Sequence, residues 1–342
     1  MRKLLNTLYV TNEDAYLCLA NENIVCKVDN QEVLKVPCLN IEAIVCFGYK
    51  GCSPALMGKC AENSIPITFI SPHGRYLSSL RGAASGNVVL RIQQIDVFRE
   101  RSLELSRNTV ATKICNNISL LKRTLHDTPE YRNEEILSRE IALMKETINK
   151  VSIADNEEEL LGLEGYAATV YFGVFDRLIK NRDECFRFEC RNKRPPLDAI
   201  NAMLSFMYTI HTNEYKSALE TVGLDSCIGF YHKIRSGRAS LACDLVEETR
   251  SKIERFVLGL VNRSIMSESD FVKQVSGAVY INDEGRSKIL RKWEEKKRTD
   301  IRHSVINKKI PMGLLPYVQA NLLAKFIRGE IEEYPTFLQK EG

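Results

Sequence analysis

The chain has 342 residues, of which 44% are hydrophobic and 27% charged, and a formal net charge of +4. That length accommodates two domains with sizeable cores, and that composition excludes a disordered chain. The charge is only mildly basic, so the placement of the cations, not their sum, must carry any argument for a nucleic-acid partner.

The opening stretch MRKLLNTLYVTNEDAYL is basic and briefly apolar, but Asn6, Asn12, Glu13 and Asp14 interrupt it too early for a secretory leader. No run of ~18 apolar residues marks a membrane span. The 11 cysteines are odd in number and scattered, several of them in apolar runs, and no CxxC pair occurs. This is the pattern of packed thiols in a reducing cytoplasm, and it excludes a thiolate zinc site.

Residues 1 to about 80 read as strands: AYLCLA, NIVCKV, EVLKVPC, IEAIVCFG, IPITFIS and GRYLSSL are short, apolar or alternating, and separated by turn residues. Ser53 and Pro54 start one short helix in SPALMGKCAEN. In RGAASGNVVL, Gly82, Gly86 and small residues mark a hinge. From Val88 the apolar spacing becomes helical. Helices are expected through NVVLRIQQIDVFRERSLELSRNTVATKICNNISLLKRTL and RNEEILSREIALMKETINKV, then through EEELLGLEGYAATVYFGVFDRLI and PLDAINAMLSFMYTIHTNEYKSALETVG. Three more follow: SLACDLVEETRSKIERFVLGLVNRSI, EGRSKILRKWEEKKRTD and GLLPYVQANLLAKFIRGE. The expected class is α+β, with a small β-sandwich-like domain over 1–82 and a larger all-α domain over 83–342.

The helix LLGLEGYAATVYFGVFDRLI is apolar almost all round, which predicts a buried central helix, and Glu164 lies inside it. Either Gly162 and Gly165 loosen the helix and Glu164 faces water, or Glu164 points inward and pairs with a metal or another cation. His232 is one of only five histidines, and alone reads as structural. In the following helix, with Ser240 as expected N-cap, Asp244 shares a face with Glu247 and Glu248. Alone, these acids complement a helix N-terminus. Together with an imidazole they make a hard O/N donor set that suits Mg²⁺ or Mn²⁺ better than zinc. Lys233, Arg235 and Arg238 follow His232 in a loop suited to phosphate contact, and RNKRPP adds Arg191, Lys193 and Arg194. The cations of GRSKILRKWEEKKRTDIRH read as an ordinary charged helix face.

LEGYAATVYFGVFD, RPPLDAINAMLSFMYTI, GFYHKIRSGRASLACDLVEETR and the hinge GAASGNVVLRIQQ occur in an order that resembles the universal CRISPR-associated integrase family, the larger of the two core adaptation proteins. The resemblance covers essentially the whole chain and is greatest to the version of type I, C-subtype systems. It implies a cytoplasmic prokaryotic protein: a metal-dependent DNA endonuclease and integrase that inserts short captured DNA into a CRISPR array by 3′-hydroxyl transesterification. Glu164, His232 and Glu247 fall on the family's metal ligands for Mg²⁺ or Mn²⁺, and Asp244 on a supporting catalytic acid. The implied partners are prespacer duplex and CRISPR repeat DNA, a second copy joined through the β half, and a small ferredoxin-like adaptation protein in a heterohexamer. The competing readings are a general Mg/Mn-dependent repair nuclease and a non-catalytic DNA-binding scaffold.

Overall fold

The structure, a computed structural model, describes residues 6–71, 76–80, 82, 88–127 and 134–339. Of the expected hinge, Gly82 is described, whereas 83–87, Gly86 among them, lie outside the described residues.

The chain opens with β1 (Thr7–Val10), β2 (Tyr16–Ala20), β3 (Asn23–Val28), β4 (Gln31–Pro37) and β5 (Ala43–Phe47), followed by α1 (Pro54–Glu62), β6 (Ile67–Ile70) and β7 (Tyr76–Leu80). Strands β2, β3 and β4 form an antiparallel meander. Its turns are tight because Asn21 with Glu22, and Asp29 with Asn30, take positive φ, as two-residue hairpin loops require. The other sheet runs β1-β5-β6-β7, with β5 parallel to both β1 and β6, and β7 antiparallel to β6. A parallel pair needs a crossover, and α1 supplies it between β5 and β6. Its start is as expected: Pro54 is the first helical residue, and Ser53 Oγ accepts from Leu56 N–H at 3.3 Å. Leu17, Ile24, Ile44, Leu56, Cys60 and Ile67 bring both sheets and α1 into one core. The 11 cysteines are unbridged, and burial beside other thiols pushes Cys46 and Cys60 up to about 12. The α+β class holds, and the strands make one mixed sheet and one meander.

The helical part comprises α2 (Val88–Asp127), α3 (Glu134–Ile153), α4 (Glu157–Gly173), α5 (Ala199–Thr221), α6 (Ser240–Glu247) and α7 (Arg250–Asn262). Two expectations are corrected here. The buried helix is α5, not α4. Only Leu160, Ala167 and Tyr171 of α4 are buried, while Leu161 and Tyr166 are exposed. A Cβ at Gly162 or Gly165 would meet nothing within 4 Å, so the glycine face of α4 looks into open space. The single long helix expected from Ser240 breaks at Thr249 (φ −120°, ψ 6°) into α6 and α7. Side chains satisfy the freed backbone there: Thr249 Oγ1 donates to Val246 O at 3.3 Å, and Asn116 Nδ2 to Glu248 O at 2.8 Å.

The rest is β8 (Phe271–Lys273), β9 (Val279–Ile281), α8 (Asp283–Lys297), β10 (Asp300–Arg302), β11 (Lys309–Pro311) and α9 (Leu315–Ile327). The second part is therefore not all-α: Gly277, at φ +83°, turns β8 back on β9, and β10 pairs with β11. The chain divides into two compact units. One joins Met1–Ser85 with Glu268–Thr299 and Pro311–Leu314; the other holds Gly86–Ser267, Asp300–Ile310 and Leu315–Gly342. The return of α8 to the strand-bearing unit is fixed by Arg286 Nη2 on Glu13 Oε1 (3.3 Å), Lys297 Nζ on Thr7 Oγ1 (3.3 Å) and Ser287 Oγ beside Thr11 Oγ1 (3.4 Å). Arg286 and Lys297 of the basic stretch are thus buried structural cations. Among the described residues no helix is long and apolar enough to cross a membrane.

Candidate functional site

All the residues of the expected centre lie in the larger helical unit. Residues 229–232 pass over α6, and Asp244 is fully buried beneath them. Its Oδ2 accepts from the N–H groups of Phe230 (2.8 Å) and Tyr231 (3.2 Å). Its Oδ1 accepts from His232 N–H (2.9 Å) and lies 2.7 Å from His232 Nδ1. Four donors thus occupy this carboxylate. A Cβ at Gly229 would meet Asp244 Oδ2 at 2.5 Å and backbone atoms of Ser240 and Leu241 at 2.8 and 2.9 Å, so only glycine fits there. The other side of the loop is held by α2. Gln94 Nε2 donates to Asp225 O and Ile228 O, both at 2.9 Å, and Ser106 Oγ donates to Phe230 O at 3.2 Å. Ser240 is not the N-cap expected: it is the first residue of α6, and its hydroxyl donates to Lys233 O at 3.2 Å.

The acid on Nδ1 makes that nitrogen the donor and leaves Nε2 as the basic nitrogen. His232 Nε2 faces Glu247 Oε1 at 3.9 Å. Glu247 is 5% exposed and lies between two cations. Arg250 Nη1 approaches its Oε1 at 2.5 Å and Lys113 Nζ its Oε2 at 2.7 Å, although Oε2 has no hydrogen bond of good geometry. Burial alone would push this carboxyl up, but Arg250, Lys113 and His232 hold it well below the usual carboxylate range. Lys113 also pairs with Glu164 Oε1. The alternatives left by the sequence resolve here: Glu164 is half-buried and paired with a cation, and that cation is an ammonium. Lys113 and Arg250 are site residues that the sequence reading missed. Arg250 lies 4.5 Å over the ring of Tyr208, whose hydroxyl donates to Glu254 Oε1 at 2.7 Å.

Glu248 belongs elsewhere. Although it neighbours Glu247, it turns into the C-terminal tail, where it accepts from Tyr334 Oη (2.7 Å), Gln319 Nε2 (2.7 Å) and Phe337 N–H (2.9 Å). Burial pushes its carboxyl up to about 7 against those three hydrogen bonds. A carboxyl with a folded pKa above its unfolded value binds more protons when folded. Its contribution is complete below the unfolded pKa and is lost as pH rises through the folded one. This group is therefore expected to remove about 3 kcal/mol of stability between about pH 4.5 and pH 8. Glu248→Gln, which cannot ionise, should lose less melting temperature than the parent between pH 5 and pH 8. Melting curves at the two pH values check this, and an equal loss in both proteins contradicts it.

The loop cations divide. Lys233 and Arg235 are exposed and Arg238 half-buried, on a turn closed by Arg238 N–H donating to Arg235 O at 3.1 Å. Arg191 does not face solvent as expected of a phosphate contact. Its Nη1 donates to Asn201 Oδ1 (2.6 Å) and to Asn192 O, its Nη2 to Ser205 Oγ (3.1 Å), and its plane lies 5.5 Å from the Tyr208 ring centre. Burial lowers the Arg191 pKa. Arg194, in the same loop, is exposed.

Chemically, the set is two carboxylates and one imidazole, with an oriented nitrogen and an ammonium between the acids. That donor set fits a hard divalent ion in chemical kind. Among the described residues, no three His, Cys, Asp or Glu side chains converge closely enough to hold one.

The family model described as CRISPR associated protein Cas1 matches residues 8–295. The chain is 41% identical over 341 residues to the CRISPR-associated endonuclease Cas1 1 of Chlorobaculum tepidum, covering 99% of each. It is 39% identical over 345 residues to the CRISPR-associated endonuclease Cas1 2 of Rhodospirillum rubrum, covering 99% of this chain and 100% of that one. Among solved structures, a Cas1 protein from Thermotoga maritima superposes with a TM-score of 0.80 at 24% identity, covering 95% of this chain and 97% of that one. A casposase bound to integration product superposes with a TM-score of 0.81 at 20% identity, over 98% and 93% of the respective chains. These two likenesses establish the fold.

Proposed function

Because the chain belongs to the Cas1 family of CRISPR-associated proteins, we propose that it is a Mg²⁺- or Mn²⁺-dependent DNA endonuclease and integrase. Its reaction is attack of the 3′-hydroxyl of a short DNA on a phosphodiester at the edge of a CRISPR repeat. The observation that carries this reading is the arrangement at Glu247. His232, oriented by Asp244, turns Nε2 toward it from one side, and Lys113 links it to Glu164 on the other. A scaffold whose acids merely complement a helix terminus has no use for an oriented imidazole and a bridged carboxylate pair.

Glu164, His232 and Glu247 would hold the ion, which when bound supplies charge stabilisation at the phosphate and eases hydroxyl deprotonation. Asp244 keeps His232 in one tautomer and one orientation. Lys233, Arg235, Arg238 and Arg194 offer cations to the DNA backbone, contacts that position a duplex without reading bases. Arg191 supports the α5 end of that surface from within. The relatives are named as endonucleases, and one solved neighbour is a Cas6-RT-Cas1–Cas2 complex. We extend that to this chain as a homodimer in a heterohexamer with a small ferredoxin-like adaptation protein.

The test is strand transfer. The protein, with its small partner, is mixed with a short duplex bearing free 3′-hydroxyls and a plasmid carrying the repeat array. Covalent joining is expected with Mg²⁺ or Mn²⁺ and none with EDTA. Cleavage without joining, indifferent to the repeat, would favour a repair nuclease instead.

A further inference from the structure

Lys113 has no role in the chemistry proposed so far, yet it is the residue that touches both acids of the site. It projects from the buried face of α2, is 8% exposed, and places one ammonium against Glu164 Oε1 and, at 2.7 Å, against Glu247 Oε2. Burying a lysine is costly unless acids compensate it. Charge balance at Glu247 alone does not call for it, because Arg250 already holds Oε1 at 2.5 Å. What Lys113 adds is a cation between two carboxylates carried by α4 and α6, which without it would face one another with no ammonium between them.

We propose that Lys113 is a built-in counter-cation: its ammonium occupies the divalent-ion position between Glu164 and Glu247 and is displaced when the ion binds, so that Lys113 sets the metal affinity of the site. The inference rests on the metal-site reading above. Three features support it. The lysine engages Glu247 through the oxygen that Arg250 leaves open. A lysine stem is flexible and its ammonium a point charge, so it can withdraw without undoing a forked, two-point contact. An ammonium and a divalent ion cannot share the two carboxylates at contact distance without strong repulsion. Lys113 would keep α4 beside α6 when no ion is bound, a task a bound ion would relieve it of. Lys113 is a positioning residue in this scheme and touches no substrate.

The decisive experiment is a calorimetric titration of the full-length protein with Mn²⁺, paired with thermal melting in EDTA. Lys113→Met removes the charge and keeps the length; Lys113→Arg keeps the charge. Expected for Lys113→Met is a Kd for Mn²⁺ at least about tenfold below that of the parent, together with a lower melting temperature in EDTA. Lys113→Arg should bind Mn²⁺ no more tightly than the parent. If Lys113→Met proves unable to fold, Lys113→Gln makes the same comparison. A lysine with a merely structural role would lower the melting temperature and leave the Kd unchanged or raise it, and that result overturns the proposal. If neither the parent nor the variants bind Mn²⁺, the metal-site reading itself falls. Binding that is lost in His232→Ala but unaffected by Lys113→Met would spare that reading and overturn only the role of the lysine.

Discussion

His232→Ala is expected to lower metal-dependent strand transfer by about a thousandfold or more, while the melting temperature in EDTA stays within a few degrees of the parent. The reasoning is geometric. Among the described residues His232 Nε2 makes no hydrogen bond and approaches Glu247 Oε1 at 3.9 Å, so the folded state gains little from that nitrogen. Asp244, on the far side of the ring, keeps its three backbone donors when the imidazole is removed. The substitution therefore removes one oriented nitrogen donor and leaves the loop that carried it in place. Single-turnover joining rates, set beside melting curves, measure both halves of the expectation. A variant that joins DNA at the parental rate would remove His232 from the chemistry.

Asp244→Ala reverses the balance. It takes the acceptor from three consecutive N–H groups and from the imidazole, at a position that is fully buried in the parent. At ~1–3 kcal/mol for each unmet buried donor, the loss is on the order of 5 kcal/mol, enough to abolish folding of a marginal domain. Asp244→Asn separates packing from orientation. It keeps the size but offers one acceptor oxygen and presents an NH₂ to groups that donate. We expect it to fold with a loss of about 2 kcal/mol and to slow strand transfer about 10- to 100-fold, the effect of loosening the group behind the histidine proposed as a metal ligand. Denaturant titration and joining rates of the two variants check this. If Asp244→Ala is as stable as the parent, the carboxylate is not what holds the loop.

Asp244, Glu247 and Glu248 show how far spacing can be read. Positions three and four apart on a helix do share a face, and on that ground the three acids formed one cluster in the sequence. The chain separates them. Asp244 lies under a loop, Glu247 faces two cations, and Glu248 enters the tail beyond the break at Thr249. Periodicity gives the face and is silent about what packs there. The meander turns, the Ser53–Pro54 helix start and the change to helical grammar at Val88 were legible because each depends on near neighbours in the chain. The pairing of β1 with β5, the return of α8 to the strands and the internal ties of Arg191 depend on distant ones. Lys113 is intermediate. With Thr109, Asn116 and Asn117 it falls on the buried face of α2, where a lysine is a legible anomaly. Its partners, Glu164 and Glu247, lie too far along the chain for any local pattern to name them.

The tie between Glu248 and the tail has a consequence for the order in which the protein can be made. The carboxylate next to Glu247 is satisfied by Tyr334, Phe337 and Gln319, and Asn116 of α2 donates to both Glu248 O and Phe337 O at 2.8 Å. On a ribosome the chain emerges from its N-terminus, so α2, α4, α6 and α7 are all exposed to solvent before those three partners exist. Until then the bend after Glu247 lacks the donors that offset the burial of its carboxylate, and the solvated carboxylate resists being packed away. The candidate centre should therefore close only after residues 334–337 have left the exit tunnel, and a nascent chain stalled short of them should present its helices without an assembled site.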